Sequence, residues 1–122
     1  MALKSINIPT RNNQIGSNII PAQTVPAGVT SASFSFDTAN WTNSSSRLVI
    51  ALEVSYDNQA TWVGGGSSDM QSRPDGTFRD RTGAIMPTVT ATFTWANGAT
   101  HVRGSYTVEG ASIQTGGSVD LN

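Results

Sequence analysis

From Arg47 to Trp62 the apolar side chains Leu48, Ile50, Leu52, Val54 and Tyr56 fall on alternate positions, with Val49, Ala51, Glu53 and Ser55 between them. Successive side chains of a strand point to opposite faces, so the period of two predicts one apolar face and one mixed face. Asp57-Asn58-Gln59-Ala60 is a turn-like cluster, and Thr61-Trp62-Val63 returns from it as the second arm of a hairpin. The same alternation marks Ala32/Phe34/Phe36 between serines, and Val89/Ala91/Phe93/Trp95 between threonines. It recurs in Val102/Tyr106/Val108 within Thr100–Glu109. Asn97-Gly98 predicts a type I′ turn that joins the last two of these strands, because both its positions need positive φ. Ala111–Gln114 and Ser118–Leu121 close the chain as one bent strand or two short ones around Gly116-Gly117.

Two segments lack this period. Residues 1–28 scatter Leu3, Ile6, Ile8, Ile15, Ile19, Ile20 and Val25 among Asn, Gly and three prolines, Pro9, Pro21 and Pro26. That pattern predicts an extended N-terminal arm with one or two short strands, seated on its own sandwich or on another subunit. Gly64-Gly65-Gly66 opens an irregular stretch to about Met86, punctuated by Pro74-Asp75-Gly76. A loop of that length exceeds the ~12–15 residues beyond which structureless connections are uncommon. About seven or eight short strands with no helical period predict an all-β, antiparallel β-sandwich, jelly-roll or immunoglobulin-like. Residues 29–122 would form the sandwich and 1–28 the arm. Phe34, Leu48, Ile50, Leu52, Val54, Phe93, Trp95, Tyr106 and Val108 would fill the core.

Composition narrows the function classes. The 122 residues carry 7 Lys and Arg against 8 Asp and Glu, a net charge of −1, so no basic surplus exists to neutralise nucleic-acid phosphates. The chain has no cysteine, which excludes disulfides and thiolate metal sites. No apolar run approaches the ~20 residues that span a bilayer, so no membrane partner is expected. Met1–Thr10 has a single lysine and no continuous apolar block, unlike a secretory signal. Charged residues make up 12%, half the usual share, while Ser and Thr number 30. A hydroxyl-rich surface costs little to desolvate against a neighbour, and Thr also simply suits the solvent face of strands.

The chemistry-bearing residues form no catalytic set. Ser55-Tyr56-Asp57-Asn58-Gln59-Ala60-Thr61-Trp62 resembles the Asp-box hairpin, Ser-x-Asp-x-Gly-x-Thr-Trp, with Gln59 in place of the glycine. That resemblance implies a stabilised turn with the Trp packed beneath it. His101 stands alone at a strand start, without partners for a metal or a nucleophilic triad. Asp69, Asp75 and Asp80 share the long loop with Arg73, Arg79 and Arg81, in no calcium-loop pattern; the loop reads as crossed by local ion pairs and suited to contact with another subunit. Trp62 and Trp95 are in phase with core positions, which leaves Trp41, between Asn40 and Thr42, as the candidate exposed aromatic. No catalytic residue, cofactor or metal ligand is expected.

Taken together, the Pro-rich arm ending in Val25-Pro26-Ala27-Gly28, the Phe34/Phe36 strand, Trp41, the Ser55–Trp62 hairpin and the Val102–Val108 strand resemble small tailed-phage structural proteins. The resemblance implies a non-enzymatic virion component at the capsid surface, a head decoration or cement protein. Its partner would be the major capsid protein or another virion protein, and it would assemble as a homo-oligomer, trimer or dimer. Ile6, Ile8, Ile15, Ile19 and Ile20 of the arm, with Trp41, Arg73, Arg79 and Arg81, are the expected partner-binding residues. The alternative is a carbohydrate- or receptor-binding β-sandwich module of a tail fibre or cell-surface protein, which an exposed row of aromatics would favour.

Overall fold

A computed structural model describes residues 4–38, 46–79 and 81–122; the side chains of 12–14 and 111–114 lie outside that description. The strands in chain order are β1 (Lys4–Thr24), β2 (Ser31–Asp37), β3 (Ser46–Ser55), β4 (Val63–Gln71), β5 (Phe78–Arg79), β6 (Ile85–Met86), β7 (Thr88–Thr94) and β8 (His101–Leu121). Among the described residues there is no helix. All pairing is antiparallel.

Six strands hydrogen-bond as one sheet in the order β4-β3-β8-β2-β7, with β1 alongside β8. The register shows how that sheet becomes a sandwich. The first half of β8, His101–Gly110, pairs with β3, and its end, Gly117–Leu121, pairs with β2. β1 follows β8 along both halves, from Lys4↔Leu121 to Thr24↔His101. Both long strands fold over midway, so Lys4 Nζ donates to the Thr24 carbonyl at 3.2 Å and to Thr24 Oγ1 at 3.0 Å. One layer is therefore β4, β3 and the adjoining halves of β8 and β1; the other is the remaining halves of β1 and β8 with β2 and β7. Bulges bend strands, and β1 carries register shifts between Ile8 and Arg11, Arg11 and Gln14, and Gln14 and Gly16. Gly16 and Gly110 both take φ 88°.

The two layers enclose the core that the alternation predicts. Phe34, Leu48, Ile50, Leu52, Val54, Phe93, Tyr106 and Val108 are all buried. Phe36 meets Tyr106 across the layers with ring centroids 5.2 Å apart, and Phe34 meets Phe93 edge-on at 5.4 Å. Trp95 differs: it lies past the end of β7 and is partly buried against the core rather than within it.

Three expectations give way to the tertiary pairing. Residues 4–24 are not a free arm but β1, an integral strand. Its Ile8 and Ile20 are core residues, and Ile6 packs partly buried against them. Pro9 and Pro21 fall inside register shifts, Ile8/Arg11 and Ile20/Gln23, where a missing N–H costs no ladder bond. The stretch from Gly64 is not a loop throughout, since Val63–Gln71 is β4, paired with β3. Its glycines disguise it, and packing explains them. A Cβ at Gly65 would sit 3.0 Å from both Leu52 Cδ2 and Val54 Cγ2, and one at Gly66 3.0 Å from Phe93 Cδ1. Gly66 also takes φ 121° beside the bulge at Leu52/Glu53. Finally, β7 pairs with β2 and β8 with β3, so Asn97-Gly98 joins strands of opposite layers rather than a hairpin. Gly98 has positive φ (106°) and Asn97 does not, so the turn is not type I′.

Candidate functional site

The outward positions of β3 alternate with its buried leucines and isoleucine, which places Arg47, Val49, Ala51 and Glu53 on one surface. The same parity on β8 turns out Arg103, Ser105, Thr107 and Glu109, and on β1 Ser17 and Ile19. Register aligns them: Ala51, Ser105 and Ile19 form one cross-strand row, and Glu53 lies opposite Arg103 two residues along. The small side chains of Ala51 and Ser105 in the row, with the adjoining Gly104, leave a cleft of about 300 Å3 between Ile19 and the Glu53–Arg103 pair.

Ile19 is 79% exposed, a large apolar side chain with nothing over it. Arg103 Nε donates to Glu53 Oε1 at 3.0 Å. Its guanidinium carbon lies 4.1 Å from the centroid of the Trp62 ring, a cation–π distance. Stacking and ion pair together fix the guanidinium plane. Further along the same face Arg47 bridges Asp69 and Glu109, donating from Nε to Asp69 at 2.8 Å and from Nη1 to Glu109 at 3.1 Å. The Arg47 bonds hold the Asp69 carboxyl below the usual carboxylate range and push the guanidinium's own pKa up.

The opposite outer face is a different surface. Thr88, Thr90, Thr92 and Thr94 of β7 lie beside Ser31, Ser33 and Ser35 of β2. Ser33 and Thr92, and Ser35 and Thr90, share hydroxyl bonds of 3.2 Å.

The Ser55–Trp62 hairpin is a structural turn. Asp57 Oδ1 accepts from the Ser55 hydroxyl at 2.9 Å and from the Thr61 amide at 2.9 Å, while Oδ2 accepts from the Thr61 hydroxyl at 2.6 Å. These bonds hold its carboxyl below the usual range, those from Thr61 foremost. Ser55 Oγ in turn accepts the Gln59 amide at 2.9 Å. Trp62 does not enter the core as its phase suggested; it is half-buried at the edge of the cleft face, under Arg103.

The expected partner-binding residues scatter. Ile8 and Ile20 point inward and are buried, and Ile6 is half-buried, so these three serve their own core. Ile15 and Ile19 are exposed, and Ile19 joins the cleft. Trp41 lies outside the described residues. Arg73 sits at an exposed turn where its carbonyl accepts the Gly76 amide. Arg79 faces Asp75 at 3.8 Å and donates to the Gly83 carbonyl at 2.8 Å, and Arg81 is exposed. None of these arginines lines the cleft. The ion pair expected within the loop is therefore present at Asp75–Arg79, but Asp69 is drawn away to Arg47. Glu53, Arg103 and Ser105 were not singled out from the sequence. Their outward phase was readable, but their meeting with Ile19 across three strands was not. Among the described residues no group of three or more His, Cys, Asp or Glu side chains could hold a metal.

No family model matches the chain, and no curated protein matches it. Solved structures do. It overlays the K2 cleaved adhesin domain of Lys-gingipain with a TM-score of 0.54 at 10% identity, over 93% of this chain and 70% of that one. It overlays the K1 cleaved adhesin domain of Lys-gingipain from Porphyromonas gingivalis W83 with a TM-score of 0.50 at 15% identity, over 87% of this chain and 62% of that one. A structure described as "CBM4 structure and function" matches with a TM-score of 0.50 at 11% identity, over 97% and 71%. At these identities the likeness is one of fold.

These overlays correct the phage resemblance. The fold is shared with adhesin and CBM4 domains rather than with virion decoration or cement proteins. Of the features behind the resemblance, the arm is not free but the strand β1, while the Phe34/Phe36 strand, the Ser55–Trp62 turn and the Val102–Val108 strand are ordinary elements of this sandwich. The capsid-protein partner, the homo-oligomer built on it and the capsid-surface location go with it.

Proposed function

We propose that the chain is a non-enzymatic binding module for carbohydrate, of the kind a cell-surface protein carries, with its site in the cleft over Ala51, Gly104 and Ser105. The cleft carries the reading: an exposed apolar wall at Ile19 stands across a small-residue floor from a fixed cation–carboxylate pair. A pyranose ring has an apolar C–H face and a rim of hydroxyls, so it matches one apolar wall and one polar wall. The volume of about 300 Å3 lies at the small end of ligand clefts and suits one or two sugar rings. The overlaid adhesin and CBM4 folds support the same class of function. The expected row of exposed aromatics is replaced here by Ile19 and by a single Trp62 held under Arg103.

The test is retardation of the protein in native gels containing soluble polysaccharides, beside the variant Ser105→Trp. Ser105 points outward, so a large side chain there fills the cleft without entering the core. Wild type should be retarded by at least one polysaccharide, and Ser105→Trp at least tenfold less at an unchanged melting temperature. Equal retardation of both proteins would move the site elsewhere, and no retardation by any polymer would overturn the reading.

A further inference from the structure

Resting on that reading, we infer that the cleft takes an uncharged sugar through a pair of neighbouring hydroxyls, held between Arg103 and Glu53, and rejects uronic acids. The inference starts from which polar atoms are used. Arg103 spends Nε on Glu53, and among the described residues its two terminal nitrogens have no partner. Those nitrogens carry four N–H donors in a rigid plane. Glu53 spends Oε1 on Arg103 and keeps Oε2 as an acceptor. Ser105 Oγ, on the floor between Ala51 and Ile19, has no partner among the described residues either.

The site thus offers a donor fork and a carboxylate acceptor side by side. A hydroxyl can accept from one and donate to the other at once. Two hydroxyls on adjacent ring carbons would satisfy both, with Ser105 reaching a third. The sugar's C–H face would then rest toward Ile19, one strand away from Ser105 on the side opposite Ala51. Adjacent strands lie ~4.8 Å apart and alternate residues ~6.7 Å along, so the row and its diagonal span about one ring.

A carboxylate meets the same site differently. It would accept from Arg103 but could donate nothing to Glu53, whose charge would face its own. The Glu53–Arg103 pair is neutral in sum, and the second cluster on this face, Asp69–Arg47–Glu109, sums to −1. The face therefore offers no positive surplus to attract an anionic polymer.

The experiment compares matched polymers in native gels: hydroxyethylcellulose, galactan and mannan as neutral probes, carboxymethylcellulose and polygalacturonate as acidic ones. Wild type should be retarded by a neutral polymer at least tenfold more strongly than by either acidic one. Glu53→Gln keeps a side chain of the same shape and removes the charge, and should narrow that preference to within about threefold. Arg103→Lys keeps the charge and loses the fork, and should weaken neutral binding at least tenfold with the melting temperature unchanged. Equal or stronger retardation by the acidic polymers would overturn the inference and leave carbohydrate binding standing. So would a neutral preference that survives Glu53→Gln intact. Retardation by none of the polymers would overturn both readings.

Discussion

Asp57 and Gln59 show how a short motif sets a turn residue by residue. Three donors converge on the Asp57 carboxylate, two from Thr61 and one from Ser55. They favour its charged form, so its folded pKa lies below the ~3.9 of an unfolded chain. A depressed carboxyl contributes stability above its unfolded pKa and loses it as pH falls through the folded value. Asp57→Asn should therefore lower the melting temperature at pH 7. It should also shrink the fall in melting temperature between about pH 5 and pH 2. Part of the fall should remain, because Asp69 and Asp75 are depressed too, by Arg47 and Thr77. An unchanged acid profile would place the titration elsewhere. Gln59 carries φ 73° where the resembling pattern has glycine. Left-handed backbone costs an L-residue roughly 1–2 kcal/mol, part of which glycine's extra unfolded-state entropy takes back. Gln59→Gly keeps the amide bond to Ser55 and should stabilise the protein by up to about 1 kcal/mol in urea titration. A loss of stability would mean the side chain makes a compensating contact.

At the scale of elements, β1 is where expectation and structure part most. Its apolar residues lack a clean period because the strand bends and shifts register, so the inward phase resets along its length. Read locally, that is an arm; paired with β8 from end to end, it is half of two sheet edges. Ile8 and Ile20 bury in the core, each contributing roughly 1.5–3 kcal/mol. Deleting residues 1–24 should therefore abolish the cooperative thermal transition and leave β8 with an open edge prone to aggregation. A truncated chain that melts cooperatively near the wild-type temperature would show β1 to be dispensable. β4 parts from expectation for the opposite reason. Val63-Gly64-Gly65-Gly66 has almost no side chain to carry a period, yet Gly65 and Gly66 are small because Leu52, Val54 and Phe93 occupy the space.

Across the whole molecule the contacts join the two ends of the chain. Lys4 pairs with Leu121, and Thr30 donates to the Asn122 carbonyl at 3.3 Å. Such non-local pairing must close long loops before any contact rewards it, which slows folding. Refolding from urea should run on the millisecond-to-second scale typical of sandwiches; completion within microseconds would contradict this register. The low share of charge also finds its place at this scale. One outer face is carried by hydroxyls of β2 and β7, and five of the described ionic side chains pair on the other, Arg47 with Asp69 and Glu109 and Arg103 with Glu53. That asymmetry marks out the cleft face.

The amino-acid sequence by itself determined the class and the core. Period two survives in any well-paired strand, so Phe34, Leu48, Ile50, Leu52, Val54, Phe93, Tyr106 and Val108 could be assigned to the interior of an antiparallel sandwich before any pairing was known. The Asp57 turn was readable for the same reason, since its bonds span four residues at most. Tertiary structure alone decided which strands are neighbours. Asn97-Gly98 looks like a hairpin from within its own window, and only the competing partners β2 and β3 pull its two strands into different layers. The cleft belongs to that second kind of knowledge. Ile19, Glu53 and Arg103 come from three strands up to 84 positions apart in the chain, and no local pattern records the register that sets them side by side.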